Sequence, residues 1–220
     1  MMKMLPTATK ITKATAIMLA TLMLISGLTA CSTPAAPPVQ MYDLGPLKTG
    51  SGAAAPSTAS APAPAGALLA ISLADVTTPA SLDSNYMLYR LQYENGQQLR
   101  SYAQHRWSMA PAQLLALRLK MRVAGAGGVI VSATDGAANL PVLKIDLDDF
   151  SQQFSSPASS VAVVSVRASI FKGRNLVAQQ SFSQRADAGA DAPGGARAMT
   201  EASDALINNI VSWLQGLPLN

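Results

Sequence analysis

The feature that most constrains this chain is a charge-free apolar run, Ala14 to Ala30, that follows Lys3, Lys10 and Lys13 and ends at Cys31. Cys31 is the only cysteine among 220 residues. At seventeen residues the run falls short of the ~20 that cross a bilayer as a helix. A basic start, a short apolar centre and small residues at the end (Leu28-Thr29-Ala30) describe a cleavable export signal. The chain therefore divides into a leader, 1–30, and a mature part that begins at Cys31. A single cysteine excludes an internal disulfide and a cysteine-based zinc cluster, and a single histidine, His105, excludes a multi-histidine metal site.

Charge points the same way once the leader is set aside. The whole chain carries a formal +4. Three of its sixteen basic residues lie in the leader, so thirteen basic residues face twelve acidic ones beyond it. No basic run with interleaved aromatics remains, and nucleic acid is not an expected partner.

Beyond Cys31 the composition changes twice. Residues 32–40 and 48–66 are rich in Ala, Pro, Ser, Thr and Gly and cannot bury enough apolar area to offset chain entropy, so both are expected to be flexible tether. Between them, Met41-Tyr42-Asp43-Leu44-Gly45-Pro46-Leu47 alternates and then stops at Gly-Pro, the pattern of a short strand docking on the main domain. The domain is expected over 67–220, long enough for a real core.

Within it, Leu68–Val76 reads as a strand. Tyr86–Gln104 reads as a β-hairpin turning at Asn95-Gly96, which would place Tyr89 opposite Tyr102 and Leu91 opposite Arg100. Ala112–Arg122 reads as an amphipathic helix entered through Pro111, with Leu114, Leu117 and Met121 on one face and Leu115 and Leu119 beside it. Val129–Val131, Leu143–Leu147, Val161–Phe171 and Leu176–Phe182 follow as strands. A last helix after Gly194-Gly195 carries the stripe Ala202, Leu206, Ile210, Trp213, Leu214 and Leu217. The expected class is α/β in the α+β sense, with a single antiparallel-rich mixed sheet and two main helices packed on it.

Catalytic patterns are weak. His105 has no G-x-S-x-G serine to serve and reads as a surface or interface histidine. Asp146, Asp148 and Asp149 lack the EF-hand spacing and fit the solvent face of a strand. Gly125-Ala126-Gly127-Gly128 lacks the lysine of a phosphate loop and reads as a helix stop. The aromatic group Tyr86, Tyr89, Tyr93, Tyr102 and Trp107 admits two readings, core packing or a protein interface.

The cysteine after small residues resembles the lipobox of bacterial lipoproteins, which makes Cys31 the expected lipid-bearing residue. Taken in order with Tyr42-Asp43-Leu44, Tyr89-Arg90, Tyr102, Arg106-Trp107, Pro111, Leu114-Leu115, Leu143-x-Ile145-x-Leu147-x-x-Phe150-x-Gln152-x-Phe154, Val177-x-x-Gln180-x-Phe182 and Trp213, it resembles the ABC-type transport auxiliary lipoprotein component family and its PqiC-like members. The resemblance implies a non-catalytic lipoprotein without a cofactor, modified at Cys31 by diacylglycerol and an N-acyl chain. It implies an MCE-family (mammalian-cell-entry) substrate-binding protein with its ABC permease and ATPase as partners, in systems that move phospholipids or other hydrophobic molecules between inner and outer membranes. It also implies a ring of identical copies in PqiC-like members. Ser32 after Cys31, where Asp is associated with inner-membrane retention, favours the outer membrane, facing the periplasm. On family pattern and interface chemistry, the candidate docking residues are Tyr89, Arg90, Tyr102, Arg106 and Trp107. The competing reading is a lipoprotein activator of a cell-wall synthase, which calls for a long tether; residues 32–66 would span at most ~120 Å fully extended.

Overall fold

A computed structural model describes residues 37–47, 69–136 and 139–219. The leader, Cys31, most of the first tether and the segment 48–68 lie outside the described residues. The chain divides into two units, 1–38 and 39–220, and the second contains every element below.

Eight strands form one mixed sheet. They are β1 (Gln40–Tyr42), β2 (Ala70–Leu73), β3 (Tyr86–Leu91), β4 (Arg100–Trp107), β5 (Val129–Ser132), β6 (Val142–Ser156), β7 (Ser159–Lys172) and β8 (Asn175–Ala188). β6 is the central strand. Its C-terminal half takes β3 in parallel, with Tyr89 facing Gln152. Its N-terminal end takes β2 in parallel, with Leu73 facing Leu143. The opposite edge takes β7 antiparallel along nearly its whole length, and β8 then pairs with β7. The long ladders are antiparallel and the parallel pairs are short. Two-residue turns join β6, β7 and β8. In the second, Gly173 has φ +60°, a conformation that disfavours side chains with a Cβ.

Three helices complete the chain: the single turn α1 (Gln92–Asn95), α2 (Pro111–Gly125) and α3 (Ala192–Gln215). α3 lies across β7 and β8, and α2 packs beside it. The sheet contributes Leu143, Ile145, Leu147, Phe150, Val164, Val166 and Ile170 to the core, and α3 contributes Met199, Leu206, Ile207, Ile210 and Leu214. At ~25 cal/mol per Å² of apolar area, this shared layer dominates the driving force. The expected α+β architecture is the one observed. Among the described residues, no helix is long and apolar enough to cross a membrane.

Three local expectations are corrected. Asn95-Gly96 does not make a two-residue hairpin turn. Gln92-Tyr93-Glu94-Asn95 winds into α1, Gly96 sits at φ −65°, and Asn95 Oδ1 accepts from the Gln97 amide at 3.0 Å. The longer connection shifts the register, so Tyr89 faces Arg100. In α2 the buried face is Leu114, Leu115, Arg118, Leu119 and Val123, while Leu117 and Met121 are exposed. The last helix starts before the glycine pair. Asp191 caps it by accepting from the Gly194 amide at 2.6 Å, and Pro193, Gly194 and Gly195 lie in its first turn.

Candidate functional site

The β3–β4 hairpin, the start of α3 and the arm containing β1 meet at one end of the sheet. A chain of rings runs through them. Tyr42 of β1 stacks on His105 of β4 at 5.7 Å, His105 meets Tyr102 edge-on at 5.8 Å, and Tyr102 packs on Tyr89 of β3 at 4.7 Å. Tyr89 in turn meets Phe154 of β6 at 6.0 Å. The Tyr42 hydroxyl donates to Gln40 Oε1 at 2.9 Å. His105 Nδ1 lies 3.1 Å from the same Tyr42 oxygen, within hydrogen-bond distance.

Beneath the rings lies Gln152, fully buried on β6. Its Oε1 accepts from the Tyr102 hydroxyl at 2.9 Å. Its Nε2 donates to Ser160 Oγ and to the Gly189 carbonyl, each at 2.8 Å. A buried amide needs such partners, because each missing one costs about 1–3 kcal/mol. The helix above must leave room for it: a Cβ on Gly195 would collide with Gln152 Oε1, and one on Gly194 would lie 2.6 Å from Gly189 Cα. Burial first, then Tyr89 and Asp191, pushes the Tyr102 phenol above the ordinary tyrosine range.

The five candidate residues separate into different roles. Tyr89 and Tyr102 share the ring chain. Arg90 Nη1 donates to the carbonyls of Gly96 and Gln97 at 3.3 and 3.4 Å, closing the connection after α1. Arg106 follows a β-bulge: Leu88 faces Ser101 and Tyr86 faces Arg106, so β4 carries extra residues between them. Arg106 folds back over this bulge, donating to the carbonyls of Tyr102 at 2.5 Å and His105 at 2.8 Å, and lies 4.4 Å over the Tyr86 ring. Trp107 is 1% exposed and packs edge-on against Phe150 at 5.3 Å. It supports this region from beneath and offers no surface to a partner.

The arm is held from the other side. β1 pairs in parallel with the edge of β4, Gln40 facing His105 and Tyr42 facing Trp107. Past it, the chain turns at Gly45 (φ +62°), where Arg118 of α2 takes hold. Arg118 is 2% exposed. It grips Asp204 of α3 with two bonds of 2.6 and 2.7 Å and donates to the carbonyls of Gly45 at 2.7 Å and Pro46 at 3.3 Å. Nothing in the sequence separates Arg118 from a surface arginine, because a helical pattern counts any arginine as polar. Between the arm and the first turns of α3 lies an open groove of about 900 Å³, lined by Met41, Leu44, Pro46, Pro193 and Arg197, with Asp187 and Glu201 among its carboxylates.

Of the acidic sequence candidates, Asp146 and Asp149 are engaged in sheet-surface bonds. Asp146 accepts from Thr77 and lies 3.6 Å from Arg167, and Asp149 accepts from Ser151 and Gln153. Among the described residues, no group of three or more His, Cys, Asp or Glu could hold a metal.

A family model described as ABC-type transport auxiliary lipoprotein component matches residues 52–211, and the chain belongs to that family. It is thus an auxiliary lipoprotein of ABC-type transport, a class of transport components and not of known enzymes. Two solved structures share the fold. One is a Xanthomonas campestris protein of family DUF330, 18% identical, covering 69% of this chain and 88% of its own, with a TM-score of 0.59. The other, described as uncharacterized, is 13% identical, covers 81% of this chain and 99% of its own, and has a TM-score of 0.60. No curated protein matches the chain.

Proposed function

We propose that this protein is an outer-membrane lipoprotein facing the periplasm, acylated at Cys31 with diacylglycerol and an N-acyl chain. Its proposed role is to dock an MCE-family substrate-binding protein of an ABC transport system that moves phospholipids or other hydrophobic molecules. The observation that carries this reading is the arm. Because β1 is paired to β4 and the turn after it is held by Arg118, only residues 32–39 lie between Cys31 and the first strand of the sheet. Such a tether reaches at most ~30 Å. A domain kept that close to its membrane suits a component that receives a partner at the bilayer, and does not suit an activator that must cross the cell wall. Tyr89, Arg90, Tyr102 and Arg106, all partly exposed on the hairpin, are the proposed contact residues.

The test is crosslinking of the full-length lipoprotein in intact envelopes, followed by identification of captured proteins. Capture of an MCE-domain protein supports the reading. Capture of a cell-wall synthase in its place, with envelope permeability unchanged on deletion of the gene, overturns it.

A further inference from the structure

Apolar side chains stand exposed where the arm joins the sheet. Val39 leads into β1, Met41 is 54% exposed in it, and Tyr86 is 45% exposed at the start of β3. The strand registers place two of them in one row. Met41 faces Arg106 across β1–β4, and Arg106 faces Tyr86 across β4–β3. Residues paired across strands project to the same side of a sheet, so Met41, Arg106 and Tyr86 share one side. Arg106 uses Nη1 on the bulge carbonyls, which leaves Nε and Nη2 without a protein partner among the described residues.

A thioether, a tyrosine ring and an arginine with spare donors are side chains suited to the boundary between headgroups and acyl chains. Tyrosine is enriched there, and arginine can keep its charge at the phosphates while its stem lies on apolar surface. Chain length adds a second argument. Val39 and Met41 lie at the N-terminal end of the described chain, and the residues between Cys31 and β1, 32–39, span at most ~30 Å when fully extended.

We infer that the row Met41–Arg106–Tyr86, with Val39, is a lipid-contact face: the domain lies with this patch on the bilayer that carries its own anchor. This rests on the lipid anchor at Cys31 and adds an orientation to it. Of the proposed partner contacts, Arg106 is then taken up by lipid, and Tyr89, Arg90 and Tyr102 remain for the protein partner.

The experiment uses the full-length chain, processed and acylated by its host and reconstituted into vesicles of phosphatidylethanolamine and phosphatidylglycerol, with part of the lipid brominated on its acyl chains. Met41→Trp and Tyr86→Trp are compared with the parent, whose Trp107 and Trp213 set the background. Leu176→Trp, exposed on β8 at the other edge of the sheet, is the control. The expected result is loss of the added emission in brominated vesicles for positions 41 and 86, with none at 176. Vesicle flotation is measured on the same samples. If the protein floats but positions 41 and 86 keep their emission, the lipid-contact face is wrong and the anchor stands. Equal quenching at all three positions also overturns it, since the domain would then have no preferred face. If the protein does not float, the anchor and the face fall together.

Discussion

Arg118 and Asp204 form a bidentate ion pair between α2 and α3, and the same guanidinium closes on the carbonyls of Gly45 and Pro46. One buried cation thus joins both helices to the arm. Arg118→Leu leaves the Asp204 carboxylate largely buried without its principal partner and frees the turn after β1. Breaking such a pair from one side costs about 3 kcal/mol. Urea unfolding is expected to show this loss. Limited proteolysis under native conditions is expected to show faster cleavage near Leu47. An unchanged urea midpoint would mean that the pair contributes nothing.

The glycine pair of α3 yields an ordered prediction. Gly195→Ala pushes against the Gln152 side chain, which can move only by giving up bonds to Tyr102, Ser160 and Gly189. Overpacking of this kind costs about 1–3 kcal/mol. Gly194→Ala meets the Gly189 backbone at 2.6 Å for Cα and 2.8 Å for N. Backbone yields less readily than an amide side chain, so Gly194→Ala is expected to be the more damaging. Thermal melts of the two variants decide the order.

Alkaline pH is expected to weaken the fold through Tyr102. Its folded-state pKa lies above the unfolded value of about 10, because burial disfavours the phenolate. The folded state therefore holds its proton longer than the unfolded chain does. The stabilisation is complete below pH ~10 and is lost as pH rises through and beyond that value. Tyr102→Phe should flatten this part of the stability–pH curve while lowering stability at neutral pH, where the bond to Gln152 is lost. An alkaline slope equal to that of the parent would assign the effect elsewhere.

Ser203 offers a test in the opposite direction. It is 0% exposed on α3, and its hydroxyl has no hydrogen-bond partner among the described residues. Ser203→Ala removes an unsatisfied polar group and adds helix propensity, and is expected to raise stability by about 1 kcal/mol. A fall in the melting temperature would show that the hydroxyl is satisfied in solution.

Cys31→Ala tests the anchor. Without the thiol no thioether to diacylglycerol can form, so incorporation of labelled fatty acid is expected to vanish. The leader should also stay attached, and the chain should run larger on a denaturing gel. Continued labelling would place the lipid elsewhere.

The residue patterns made some of this structure readable and concealed the rest for physical reasons. The alternation of Leu143, Ile145 and Leu147 and the β-branched run Val161–Val166 identify β6 and β7, because one side of each strand faces the core. The docking of the arm was readable from its alternation, but the strand is shorter than the pattern suggested: only Gln40–Tyr42 pair, and 43–47 run on outside the sheet. The phase of α2 was not. Arg118 occupies a buried position, so a pattern of apolar residues alone turns the helix toward Leu117 and Met121, which the structure leaves in solvent. The Asn95-Gly96 turn failed because Gln92–Asn95 also suits a helical turn, which the sheet accommodates by changing register. Gln152 appeared within a recurrent pattern, but its role as the amide joining Tyr102, Ser160 and Gly189 depends on contacts across four segments of chain. Trp107 and Tyr102 looked alike in sequence, and only depth in the fold separates them.

The parallel pairing of β1 with β4 also sets an order of assembly. The β6–β7–β8 meander closes through two tight turns, so its contacts are local and cost little loop entropy. Gln40 must wait for His105, with β2, β3 and α1 between them in the chain. The segment made first is therefore expected to settle last. By the same reasoning it is expected to open first, so its amides should exchange with solvent well before those of β7.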